Sequence, residues 1–114
     1  MSAIEVVLLY DYYGNLLTDR QKECFEMRYY QDLSLGEIAD ELGISRQGVH
    51  ENLNRAEALL RNMEAKTGCV SRDQACRKAA NTILDAASLL RQREDPVVTA
   101  LAQRIIDAAQ GLEE

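Results

Sequence analysis

Tryptophan is missing from this sequence of 114 residues, and proline, phenylalanine and histidine occur once each. The single histidine, His50, falls on the solvent face of its helix beside Glu51, with no cysteine or serine placed near it by sequence. That gives nucleophile–base catalysis almost nothing to stand on, and no glycine-rich phosphate loop is present. The three cysteines, Cys24, Cys69 and Cys76, are odd in number and form no CxxC pair. They imply neither a disulfide framework nor a zinc site, so no metal and no cofactor is expected. No apolar run approaches the ~20 residues of a membrane span. The opening MSAIEVVLLYDYYG is too short, too acidic and too aromatic for a signal peptide, which makes a cytoplasmic, non-membrane protein the expectation. Few glycines, few β-branched runs and abundant aliphatic residues predict an all-α protein. An enzyme is not expected.

The chain suffices for a single domain over 1–114, in two parts: 1–67 and 68–114. The net charge is −6. Residues 1–67 hold seven basic and twelve acidic side chains, and the remainder six and seven. Nucleic-acid affinity rests largely on Lys and Arg neutralising phosphates. The more acidic part is nevertheless the one that carries the most specific pattern.

That pattern begins at Ser34. Ser34 and Glu37 form a capping box for the helix LGEIADEL, whose Leu35, Ile38, Ala39 and Leu42 share one face. Gly43 follows where a left-handed residue is wanted, and Ser45 can cap the next helix. Ala39 is small enough to let two helix axes approach, with Val49 and Leu53 as the matching apolar positions. A cap, a small residue, a glycine turn and a second cap in this order predict a helix-turn-helix at about 34–54.

Ahead of it, Val6, Leu9, Tyr10 and Tyr13 make an apolar stripe on a first helix, Ile4 to Tyr13, ended by Gly14-Asn15. Thr18 and Gln21 form a capping box for a second helix to about Tyr30, with Leu17, Cys24, Phe25 and Tyr29 inward. The aromatic residues all fall in the first thirty positions. At helical spacing they are read as core or dimer contacts rather than a base-stacking platform. The fourth helix runs unbroken from Ser45 to about Lys66, and its Val49, Leu53, Ala56, Leu60 and Met63 form a short heptad seam. Thr67-Gly68 stops it. Ser71 and Gln74 then suggest a third capping box for a helix from about Arg72 to Arg93. Its stripe is Cys76, Ala79, Ala80, Ile83, Leu84, Ala87 and Leu90. Asp95-Pro96 starts a last helix to about Gln110, with Val98, Leu101, Ala102, Ile105 and Ala109 inward. These two helices form a hairpin that needs covering, and the seam of the fourth helix is the predicted acceptor. A symmetric homodimer is expected, through the hairpin or the long fourth helix.

The stretch Leu17 to Leu60 resembles the region-4-type helix-turn-helix of bacterial sigma factors, in the progression LT…Q…F…RY…SLGEIA…LGISRQ.V…L.RAE..L. It is more closely similar to the YlxM-like family of small bacterial proteins linked to the signal recognition particle. There a Tyr-rich opening, here LLYDYYGNLLTDRQ, leads into SLGEIADELGISRQGVHENLNRAE. The resemblance covers Leu8 to Lys66, and nothing beyond Thr67 carries it. It implies a sigma region-4-like helix-turn-helix with a long recognition helix, followed here by the C-terminal helical hairpin. It also implies a regulatory part in co-translational targeting, with the particle's GTPase or its RNA as partner.

The competing reading is a DNA-binding transcriptional regulator. The first turns of the second helix of a helix-turn-helix face the major groove. Here those positions offer Arg46, Gln47, His50, Glu51 and Asn54, with Arg55 one turn on. Arg46 and Gln47 suit guanine and adenine edges, and Asn54 and Arg55 suit phosphates. Sigma-type motifs commonly carry further basic residues where this chain has His50, Glu51 and Asn52. Their replacement removes phosphate contacts and puts the Glu51 carboxylate where it repels a DNA backbone. The opposing reading pairs Arg46 and Arg55 with Glu51 or neighbouring acids on an ordinary helix surface. The acidic balance favours a protein partner by charge complementarity.

Overall fold

Five of the six helices among the described residues start where a short polar side chain just ahead of the helix accepts the first free backbone N–H groups, and those signals are local. The computed structural model describes residues 2–112. They form six α-helices and no strand: α1 Ala3–Tyr13, α2 Asp19–Tyr29, α3 Leu35–Leu42, α4 Arg46–Thr67, α5 Cys69–Arg91 and α6 Pro96–Gly111. A 3-10 turn, Gly14–Leu16, joins α1 to α2. The Thr18–Gln21 and Ser34–Glu37 capping boxes both close with reciprocal hydrogen bonds of 2.9–3.1 Å. Ser45 accepts from the Gly48 N–H and opens α4. Gly43 ends α3 at φ +67°, a left-handed conformation in which any side chain is strained. Asp32, between α2 and α3, is the only non-glycine of positive φ among the described residues. Among the same residues no helix is long and apolar enough to cross a membrane.

The described chain divides into two compact units, Met1–Val70 and Ser71–Glu114. In the first, α4 is the axis. Its N-terminal half packs Val49 and Leu53 with Cys24 of α2 and Ile38 and Ala39 of α3. Its C-terminal half packs Ala56 and Leu60 with Val6, Leu9 and Tyr13 of α1, Phe25 of α2 and Val70 at the start of α5. The seam expected to receive the hairpin or a second chain is therefore already covered by α1, α2 and α3. The reason is geometric: short helices preceding a 22-residue helix can fold back along its whole apolar stripe.

Two further expectations are corrected. The Ser71–Gln74 box does not start α5. Gly68, at φ +64°, turns the chain within one residue, and the helix begins at once with Cys69. Its first free donors find acceptors at the end of α4: Cys69 N–H donates to the Thr67 hydroxyl at 3.4 Å and Val70 N–H to the Glu64 carboxylate at 3.0 Å. The inward face of α6 is also rotated from the expected one. Ala102, Ile106 and Ala109 are buried, whereas Leu101 and Ile105 are exposed. On α5 the buried line is Ala80 and Ala87, and Cys76, Ala79, Ile83 and Leu90 are exposed. On each of the two helices only a narrow, mostly alanine line of the broad apolar stripe is buried.

Tyrosine hydroxyls tie the first unit together over long sequence separations. Tyr10 donates to Glu26 at 2.9 Å, Tyr13 to Glu64 at 2.7 Å, Tyr30 to Asp11 at 3.3 Å, and Tyr29 to Glu57. Tyr10 stacks on Phe25 with centroids 4.3 Å apart, and Phe25 meets Tyr29 at 4.5 Å. Such pairs contribute about 0.5–1.5 kcal/mol each beyond the area they bury. Tyr13 and Phe25 are core, Tyr10, Tyr12 and Tyr29 pack partly buried against them, and Tyr30 is exposed.

Candidate nucleic-acid interface on the fourth helix

Helix α4 presents its outer surface because its inner one is filled by Val49, Leu53, Ala56 and Leu60. Helical stepping of about 100° per residue puts Gln47, Glu51 and Asn54 in the middle of the outward arc. His50 lies on one side of them and Arg55 on the other. Arg46, Gln47, His50, Glu51, Asn54 and Arg55 are all exposed. The Asn54 side-chain amide lies 3.1 Å from His50 Nε2, one turn back, so these two side chains act as a hydrogen-bonded pair.

Arg46 is placed by α3. A Cβ at Gly36 would stand 3.1 Å from its Nε and Nη2, so the guanidinium lies against the one α3 residue without a side chain. Neither Arg46 nor Arg55 has a carboxylate partner within 4.0 Å among the described residues. The pairing with Glu51 weighed above is absent there. Two other cations of the first unit serve the fold. Arg20 of α2 donates to the Leu42 carbonyl at 3.5 Å, at the end of α3, and Arg28 donates to the Leu33 carbonyl at 3.1 Å.

The acidic side chains divide in the same way. Glu26, Glu57, Glu64 and Asp11 accept tyrosine hydroxyls. Glu37 accepts from the Ser34 backbone N–H, which holds its carboxyl below the usual carboxylate range. What is left open is the outer surface of α3. Glu37, Asp40 and Glu41 are exposed there and, with Leu33, line a shallow depression. The pair Asp40-Glu41 reads from the sequence as a solvated helix face, and both are exposed. Glu37, read from the sequence only as part of a cap, joins them on the outer face of α3. No group of three or more His, Cys, Asp or Glu side chains among the described residues could hold a metal ion.

Comparison with known proteins fits this arrangement of helices. Residues 2–98 match the model of a family described as "Putative helix-turn-helix protein, YlxM / p13 like", UPF0122. The chain belongs to the UPF0122 family. A UPF0122 protein of Thermoanaerobacter sp. (strain X514) is 46% identical over 101 residues, 88% of this chain and 86% of that one. A UPF0122 protein of Caldanaerobacter subterraneus subsp. tengcongensis is 53% identical over 78 residues, 68% of this chain and 67% of its own. The UPF0122 protein YlxM of Bacillus subtilis (strain 168) is 37% identical over 97 residues, 85% of this chain and 86% of its own. The UPF0122 match runs from α1 through α5 and into the first turn of α6. It extends well past Thr67, where the resemblance legible in the sequence stops.

Proposed function

We propose that this UPF0122 protein is a non-enzymatic regulator of co-translational targeting that acts by binding the signal recognition particle's GTPase or its ribonucleoprotein. The link to that pathway comes from the YlxM-like resemblance of residues 8–66. The observation that carries the choice of a protein partner is the acidic outer surface of α3. A helix-turn-helix on DNA lays its first helix across the phosphate backbone. Here that helix exposes Glu37, Asp40 and Glu41, and Glu51 adds a fourth carboxylate on α4. Facing phosphates these charges repel. Facing a basic protein surface they speed encounter and favour the complex.

A second reading, a DNA-binding regulator, is favoured by one specific observation. Gln47, His50 and Asn54 stand together on the exposed arc of α4, flanked by Arg46 and Arg55 with no carboxylate partner among the described residues. Binding to the GTPase, with and without its RNA, and to duplex DNA across a salt series separates the two. Reversing Asp40→Lys together with Glu41→Lys is expected to weaken GTPase binding roughly tenfold or more, with the loss shrinking at high salt. Arg46→Ala with Gln47→Ala is expected to leave GTPase binding unchanged. Tight, sequence-selective duplex binding abolished by that second pair, with no GTPase association, would replace the first reading by the second.

A further inference from the structure

The hairpin of α5 and α6 buries little of what its sequence makes apolar. The two helices are joined by residues 92–95, and Arg91 near the end of α5 donates to Gln103 of α6 at 3.0 Å, so they run antiparallel. Ala80 and Ala87 mark the buried line of α5, and Ala102, Ile106 and Ala109 that of α6. Cys76, Ala79, Ile83, Ala86 and Leu90 lie on α5 roughly 40–120° round from its buried line. Val97, Leu101, Ile105, Ala108 and Leu112 lie on α6 roughly 60–140° round, in the same rotational sense. In antiparallel neighbours an equal rotational sense brings both arcs out on the same side of the pair. The result is one continuous face, two helices wide, with no charged side chain among these ten residues. Its large members, Ile83, Leu90, Val97, Leu101, Ile105 and Leu112, are 40–68% exposed. The opposite side carries Arg77, Asn81, Asp85, Gln103, Asp107 and Gln110.

We propose that this face is completed by the same face of a second copy, so that two hairpins form a four-helix bundle about a twofold axis. Three features select a second copy as the occupant. All ten residues are exposed, on two helices side by side, and a standard interface takes about 800 Å² from each partner. From Cys76 onward the two arcs carry no charge of either sign, Arg72 standing one turn before them on α5, so the face is self-compatible, as an isologous contact requires. Finally, the first unit has its own seam on α4 filled, and its exposed large apolar side chains are the isolated Ile4, Leu16 and Tyr30. A two-helix layer with one open apolar side is half of the four-helix arrangement.

Sedimentation of the full chain at micromolar concentration tests this. The expected result is a mass of two chains for the natural sequence and for Asn81→Glu, a change on the opposite side, and of one chain for Leu101→Glu. If Leu101→Glu loses helical ellipticity, oxidative crosslinking decides. Ile83→Cys and Ile105→Cys chains, each with the native cysteines replaced by serine, are oxidised separately and as a mixture. Crosslinked pairs of chains support the face, in the single variants or only in the mixture according to the direction of the twofold axis. A one-chain mass for the natural sequence, a two-chain mass that persists in folded Leu101→Glu, or no crosslink in any of the three samples overturns it.

Discussion

Residues 1–70 and 71–112 use different means to hold helices together, though both are built from helices of good propensity. The first unit closes its core with large side chains, Phe25, Ile38, Leu60 and Val49 among them, and pins its helices with tyrosine–carboxylate bonds. The second closes on four alanines and Ile106, and leaves most of its other Leu, Ile and Val residues facing solvent. Side-chain volume makes the difference. A Phe or Leu at the centre of a three-sided helix cluster removes much apolar area from water, whereas an alanine line brings two helices close but removes little. A unit of the first kind is stable by itself, and one of the second kind needs a further surface.

The contrast can be broken at Phe25. It is fully buried between Tyr10 and Tyr29, and truncation to alanine is expected to cost about 3–5 kcal/mol. All five tyrosines lie in the first unit, so tyrosine fluorescence during urea unfolding follows that unit alone, while far-ultraviolet ellipticity follows both. Phe25→Ala should lower the fluorescence midpoint while an ellipticity transition from the second unit stays in place. If both signals move together as one transition, the units do not unfold independently and the contrast fails.

Alkaline pH sharpens it. Burial, and then the hydrogen bonds and charges of Glu26 and Glu57, push the phenols of Tyr10 and Tyr29 up to about 12. Tyr13 and Tyr30 are raised as well, burial again leading. An unfolded tyrosine titrates near 10. A raised folded value means the native state favours the neutral phenol. The resulting stabilisation is complete below about pH 10 and is lost as pH rises from there to about 12. The fluorescence-detected midpoint should fall across that window, and Tyr10→Phe with Tyr29→Phe should flatten the fall. The second unit has no tyrosine and lacks this contribution.

The smallest expected effect is at Gly43. No atom lies within 4 Å of a Cβ built there, so Gly43→Ala tests backbone conformation without packing. Holding alanine at φ +67° should cost about 1–2 kcal/mol in the first unit. A fluorescence midpoint equal to that of the natural sequence would mean that the α3–α4 turn adopts another conformation.

What was legible in the sequence is what neighbours in the chain decide. The boxes at Thr18 and Ser34, the caps at Ser45 and Asp95, and the glycine turn at Gly43 each rest on residues two to four apart, and each stands where the pattern put it. The outward placement of Gln47, His50 and Asn54 follows from the period of α4 alone. The failures share a different feature. Whether Ser71 starts α5 depended on Glu64 and Thr67 reaching its first donors, and which face of α6 turns inward depended on where α5 lies.

So the sequence by itself determined six helices, their approximate limits, the inner and outer faces of α4, and membership in a helix-turn-helix family. Tertiary structure decided what covers the seam of α4 and that Tyr13 meets Glu64 across 51 positions. It also decided that Arg46 rests on Gly36, and that the hairpin keeps one apolar side open. The division has a physical cause. Helix start, stop and period are set by backbone hydrogen bonds within one turn, which a linear pattern records. Which stripe meets which is a competition among surfaces far apart in the chain, won by the pairing that removes most apolar area from water.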